Sequence, residues 1–228
     1  MRQNSTIPAG RAPLNRKRIA ALPRRSLRPG RNATKAEVSV VDPGETPFVV
    51  KDTASRSWAV RTLLGPWQLN REERAYRILA GTPGIPRLIG RPDRQSLALE
   101  YIPGRSLDTL RPGEVDGAFF DRLDNLLGMM HARGIAHGDL HHRDILLDAQ
   151  GNPFVVDFAT SLEAGAGANP LRRMLFKQMV KADLRSAAKL RQRLAPGSAR
   201  ALPARPLLYR VGVRLRKTLI HSHRSRNH

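Results

Sequence analysis

Three aspartates set around two apolar runs constrain this chain more than any other feature. In His137-Gly138-Asp139-Leu140-His141-His142-Arg143-Asp144-Ile145-Leu146-Leu147, a carboxylate follows His137 by two positions and a second oxygen donor comes five residues later. An apolar, strand-like run follows at once. Thirteen residues beyond Asp144 stands Asp157, in Val155-Val156-Asp157-Phe158-Ala159. Carboxylates so placed are oxygen donors of the kind a hard divalent cation takes. A solvated acidic loop supplies any one of these acids. It does not readily supply two spaced acids, a buried apolar run and then an Asp-Phe pair.

The stretch resembles the protein kinase catalytic loop H-R-D-L-x-x-x-N followed by D-F-G. The resemblance implies roles residue by residue: Asp139 as catalytic base or hydroxyl-orienting group, and Asp144 and Asp157 as magnesium ligands. Asp144 stands where the family has Asn, and Asp is itself a competent oxygen ligand. Ala159 replaces the Gly of D-F-G. Gly138 replaces the Arg through which many protein kinases sense a phosphorylated activation loop, which implies that this control is absent. His137 reads as a residue that pins the loop, and His141 and His142 as polar loop residues.

Upstream, Glu37-Val38-Ser39-Val40-Val41 alternates like a strand, Asp42-Pro43-Gly44-Glu45 reads as a turn, and Pro47-Phe48-Val49-Val50-Lys51 as the returning strand. Kinases place their phosphate-covering hairpin and strand lysine here, so Lys51 is the expected ligand of the nucleotide phosphates. The turn has a single glycine, Gly44, where a glycine-rich loop needs several. A helix capped by Asn70 is expected next, carrying Glu72 as the acid that pairs with Lys51 and Glu73 as the alternate. Ser96 to Ile102 reads as a strand entering a hinge, with the backbones of Glu100 and Ile102 as the expected adenine contacts. Phe120, Leu123, Leu127 and Met130 recur at helical spacing between Gly117 and Gly134, a core helix. A further helix is read from Lys181 on, where Asp183 is either a brace for the catalytic loop or a surface acid.

No A-P-E follows Asp157, and only about seventy residues remain. Over about residues 36 to 195 the chain looks like the bacterial lipopolysaccharide core-sugar kinases and the compact RIO-type kinases. The expected fold class is α+β: a two-lobed kinase-like fold with a small antiparallel β-sheet N-lobe and a reduced, mainly helical C-lobe. The expected divisions are a basic disordered arm (1–34), the N-lobe (35–102), the C-lobe (103–200) and a basic amphipathic tail (201–228).

Charge enters where the acceptor has to be chosen. The formal net charge is +21 over 228 residues, which attracts polyanions: nucleic acid, an anionic membrane leaflet or phosphorylated substrates. Residues 1–34 hold nine Arg and Lys and no acid, a composition that suits a disordered arm or an organellar transit peptide. In the tail, Leu208, Val211, Leu215 and Leu219 fall on one helical face among arginines, either as a membrane-surface helix or as a helix packed on the domain. The chain has no cysteine and no window of about 18 apolar residues. Nucleic-acid binding explains the charge and none of the motifs.

The resemblance therefore implies an ATP- and Mg2+-dependent phosphotransferase, acting on a sugar hydroxyl of lipopolysaccharide core or a similar lipid-linked glycan. Its expected location is cytoplasmic, with peripheral contact at an anionic membrane surface on the cytoplasmic face of the inner membrane. Two alternatives stay open: a small serine/threonine protein kinase, and a non-catalytic kinase-like module that binds nucleotide or a partner.

Overall fold

The computed structural model describes residues 14–28 and 36–204, which divide into two compact units. The first holds the described residues up to Leu69 together with Leu88–Tyr101, and the second holds Asn70–Arg87 and everything from Ile102 on. The division runs through a helix, so the stretch 70–87, read from sequence as N-lobe, groups with the second unit.

The first unit is an antiparallel five-stranded sheet. Its elements are α1 (Arg16–Ala20), β1 (Arg24–Arg28), β2 (Glu37–Val41), β3 (Phe48–Asp52), β4 (Leu88–Asp93) and β5 (Ser96–Glu100), in the strand order β1-β2-β3-β5-β4. The β2–β3 hairpin pairs Val41 with Phe48 and Val38 with Lys51, and β5 sets Leu97 against Lys51. Val41, Phe48, Val50 and Ala98 form the sheet's core together with Ile19 of α1, and Leu14, Leu22 and Ile89 pack against them.

Ile19 corrects the expected disordered arm. Residues 14–28 are built into the sheet by one apolar anchor and one ionic clamp. Arg16 donates to both carboxylate oxygens of Asp52 (2.7 and 3.1 Å) and to Asp93, and all three lie in this unit. Desolvation raises Asp93, but hydrogen bonds from Arg16, Ser96 and the Gln95 amide outweigh it and hold the carboxyl below its usual range. β1 covers the edge of β2 and presents exposed Arg24 and Arg25, charges that discourage further strand pairing.

A π-type turn (Val60–Leu64) leads into α2 (Gly65–Ile78). The helical run is thus already under way before the expected Asn70 cap, because the π-type turn passes into α2 with Ala59 and Gly65 both in right-handed helical conformation.

In the second unit, β6 (Gly104–Ser106), β8 (Ile145–Asp148) and β9 (Pro153–Val155) form a three-stranded antiparallel sheet. β7 (Ile135–Ala136) pairs with β10 (Leu162–Glu163). Between β6 and β7 in sequence runs α3 (Gly117–Ala132), capped by Asp116 and buried through Phe119, Phe120, Leu123, Leu126, Leu127 and Met130. α4 (Pro170–Leu194), capped by Asn169, is the last α-helix of the described residues, and a 3-10 turn (Pro196–Ser198) follows it. This helix starts eleven residues before the expected Lys181. Leu171 and Met174 in its first turns are exposed, so that part carries no core stripe to read. The amphipathic tail helix read over Leu208–Leu219 lies outside the described residues. No helix among them is long and apolar enough to cross a membrane.

Candidate active site

The catalytic-loop motif is held by α4. Asp183 is fully buried (0 % exposed) and accepts from the backbone N–H of His137 and of Gly138, at 2.8 Å each, one to each carboxylate oxygen. His131, in the last turn of α3, lies 3.0 Å from Asp183 Oδ2 through Nε2. The open choice for Asp183 is thereby decided: it is a brace for the loop. His137 has the pinning role read from sequence. Its Nε2 sits 3.1 Å from the Val156 carbonyl, which only accepts, so the ring carries its proton there. Thr160 Oγ1 donates to the His137 carbonyl at 3.2 Å.

Gly138 is at φ +83°, and an added Cβ would come 1.9 Å from Met179 Cε. The backbone here suits glycine. An arginine in its place would need both that conformation and a shift of Met179.

The β8–β9 hairpin brings the two candidate magnesium ligands to one end. Ile145 pairs with Val155, and the Val156 N–H donates to the Asp144 carbonyl at 2.8 Å, so Asp144 and Asp157 flank the same strand ends. Asp144 is buried, and its Oδ2 accepts from the His141 N–H at 3.0 Å. Burial pushes its carboxyl above the usual carboxylate range. His137 opposes that rise, the Asp157 charge adds to it, and the His141 amide opposes it. Asp157 adopts φ 70°, ψ 66°, the one non-glycine residue in the left-handed region among those described. Strain of that kind persists where the surroundings fix it, and here it falls on a candidate ligand.

Two carboxylates that repel each other at one hairpin end, Asp144 buried and Asp157 partly so, suit a divalent cation, which removes the repulsion. No group of three or more His, Cys, Asp or Glu converges among the described residues. A set of two carboxylates suits magnesium, which is usually bound by one or two carboxylates plus substrate phosphates.

Asp139 is different from its neighbours. Its side chain is 56 % exposed, and Oδ1 lies 3.2 Å from His141 Nε2. His141 therefore touches both acids of the loop, Asp144 through its amide and Asp139 through its ring.

Phe158 explains how α2 is tied to this region. Its ring meets Tyr76 edge-on at 5.1 Å and His137 at 5.4 Å. Glu72, one turn before Tyr76 on the same helix face, is 1 % exposed, whereas Glu73 pairs with Arg77 as an i,i+4 couple. Of the two acids weighed from sequence, Glu72 is the buried one. Sequence reading missed Tyr76 and His131. Their signal was weak: Tyr76 lies one turn from Glu72, and His131 six residues before His137.

The remaining predicted residues divide between the units. Lys51 is 9 % exposed on β3, and Glu100 ends β5 opposite Phe48, both in the first unit. Ile102, buried, belongs to the second. At the β2–β3 turn, Asp42 Oδ1 accepts from the Gly44 N–H at 2.9 Å. An amide that a glycine-rich loop would offer to phosphate is here taken by a carboxylate.

After Phe158 the chain pairs β10 with β7 and enters α4 within a dozen residues. Glu163 is held by Arg74, and its carbonyl by Arg172 Nε at 2.5 Å.

Such an arrangement, with a loop anchored by a buried helix Asp, two acids at a hairpin end and an exposed acid beside them, defines the class: the chain has a protein kinase-like fold, α+β and two-lobed. Two solved structures of Rio2 kinase from Chaetomium thermophilum superimpose with TM-scores of 0.57 and 0.59 at 15% identity, over 75% and 83% of this chain. The second is a complex with ADP/Mg2+ and phosphoaspartate. CBL-interacting protein kinase 31 of Oryza sativa subsp. japonica is 35% identical over 88 residues, 35% of this chain. The chain spans 57% and 60% of the two Rio2 chains and 20% of the rice protein. No family model matches the sequence.

Proposed function

We propose that the chain is an ATP- and Mg2+-dependent phosphotransferase whose acceptor is an alcohol group, in the favoured case a sugar hydroxyl of lipopolysaccharide core or a similar lipid-linked anionic glycan. One observation carries the transferase reading: Asp139 is exposed on a loop pinned by Asp183 and shares His141 with Asp144, which stands with Asp157 at the end of one hairpin. In this reading Asp139 orients the acceptor hydroxyl and takes its proton. Asp144 and Asp157 hold magnesium, which screens the phosphate charge when bound. Lys51 binds the nucleotide phosphates with Glu72 as its ionic partner, and the backbones of Glu100 and Ile102 receive the adenine. A buried ammonium such as that of Lys51 needs anionic company, which supports its assignment. ADP and Mg2+ in the Rio2 neighbour support the cofactors.

Lipid-surface contact has its own support in the first unit. Trp58, Leu63, Leu64 and Trp67 are exposed, at 68, 66, 41 and 53 %, on a chain of net charge +21. Tryptophans beside basic charge suit a membrane interface. The Asp42–Gly44 contact favours the second reading, a nucleotide- or partner-binding module without transfer. A serine/threonine protein kinase remains the other acceptor choice.

Magnesium-dependent ATP binding, read as a thermal shift for wild type and Asp157→Ala, separates these readings. A shift that disappears in the variant supports the nucleotide–metal site; no shift in folded wild type overturns it. Transfer lost in Asp139→Ala with ATP binding kept supports catalysis. Flotation with anionic vesicles, lost in a Trp58→Ala/Trp67→Ala variant, supports the lipid surface, and equal flotation of the variant removes that patch from the argument.

A further inference from the structure

The second unit contains a cavity of about 440 Å3 between the catalytic loop and α4. On the loop side its walls are Gly138, Asp139, Leu140 and His141. On the helix side they are a single stripe three or four residues apart, Gln178, Ala182, Arg185, Ser186 and Lys189, with Met179 beside it. That volume falls in the range of small-molecule sites, roughly 300–1,000 Å3. Asp183 sits on the same helix but is turned to the loop amides, so it adds no charge to these walls.

The charges are arranged in two places. Asp139 is the one acid of the lining. Arg185 and Lys189 stand one turn apart on the helix, with Ser186 between them. Arg185 donates one N–H to the Pro203 carbonyl, which fixes its side chain, and a guanidinium has five such donors. Lys189 is exposed. Leu140, Met179 and Ala182 make the wall between acid and bases apolar. A neutral ligand would leave both cations unanswered, and a wholly anionic one would meet Asp139.

We propose that this cavity is the acceptor site and that it selects an acceptor bearing an anionic group, phosphate or carboxylate, held by Arg185 and Lys189 while its hydroxyl lies at Asp139. The inference rests on the phosphotransferase reading and adds the acceptor's chemistry to it. In the transfer, the acceptor oxygen forms a bond to the γ-phosphorus of ATP, the bond from that phosphorus to the β,γ-bridging oxygen breaks, ADP leaves, and the hydroxyl proton passes to Asp139.

Met179 gives a readout that does not depend on transfer. Protein labelled at its methionine methyl groups, with ADP and Mg2+ present, is titrated with glucose 6-phosphate, glucuronate and glucose, and the Met179 signal is assigned by Met179→Leu. The expected result is a saturable Met179 shift with at least one anion, phosphate or carboxylate, and none with glucose. Arg185→Gln/Lys189→Gln should weaken it by about tenfold or more, as for two lost charge-assisted contacts. Arg94→Gln/Lys177→Gln, the same change of net charge elsewhere, should leave it unchanged. Equal response to glucose, no response to either anion, or no effect of the Arg185/Lys189 pair overturns the proposal. The ATP thermal shift on the same samples tells the two readings apart. If ATP binds and Met179 is silent, the acceptor assignment alone fails. If Met179 responds and ATP does not bind, the transferase reading fails and the acceptor role with it.

Discussion

Removing the Asp183 carboxylate should loosen the catalytic loop more than any other single change in α4. The residue is fully buried and serves three partners: the amides of His137 and Gly138 and the His131 ring. Asp183→Ala leaves two amides and an imidazole nitrogen without their acceptor. A buried donor left unmet costs about 1–3 kcal/mol, so the three together, which share one site and do not add fully, cost about 3–5 kcal/mol. For a chain of this size about 1 kcal/mol moves Tm by roughly 2–4 °C, which puts the expected drop at roughly 6–20 °C. Asp183→Asn keeps one acceptor oxygen and places an NH2 where the second amide points, so its cost should fall between wild type and the alanine variant. The assay is urea unfolding of all three proteins, with hydrogen exchange at the His137 and Gly138 amides as a local probe. If Asp183→Ala lies within about 1 kcal/mol of wild type, or if both amides stay protected in it, the brace is not what holds this loop.

Two further results follow from the same structure. Ile19→Ala should destabilise the first unit by about 2–4 kcal/mol in urea unfolding, since Ile19 is buried in the sheet core; a change within about 0.5 kcal/mol, the range of a surface site, would return residues 14–28 to a loose arm. Asp144 predicts the pH dependence of metal binding. Its carboxyl is raised by burial and by Asp157, so the folded state holds that proton more tightly than the unfolded chain does. The stability this contributes is present below the ordinary carboxylate range and is lost as pH rises through the raised folded value. Magnesium needs the ionised form, so Mg2+ affinity should begin to fall on acidification at a higher pH than an ordinary carboxylate would allow. Mg2+ titrations across pH, wild type against Asp144→Asn, check this; a wild-type profile that stays flat down to the ordinary range contradicts it.

Where the signal was local, the chain could be read directly. The strands read over 37–41 and 47–51 became β2 (37–41) and β3 (48–52), the spacing from Phe120 to Met130 became the buried face of α3, and one hairpin brings Asp144 and Asp157 to the same strand ends. Where one distant partner decided the outcome, the sequence was ambiguous. Nothing local distinguishes Asp183 from a surface acid, because its partners lie 45 to 52 residues earlier in the chain. Arg16 sits in a stretch whose average composition reads as unfoldable, and its two carboxylates are 36 and 77 residues away.

The two ends of the candidate site differ in kind for the same reason. Asp144, Asp157 and His137 are fixed by backbone contacts within one hairpin and loop, so their placement follows from the motif. The Arg185–Lys189 stripe follows from the register of a 25-residue helix, and Asp183 sets that register by locking onto the loop amides. A helix rotated by one residue, about 100°, would lose those bonds and carry both cations off the cavity wall. Bracing the loop and charging the acceptor cavity are thus one structural decision, made at Asp183.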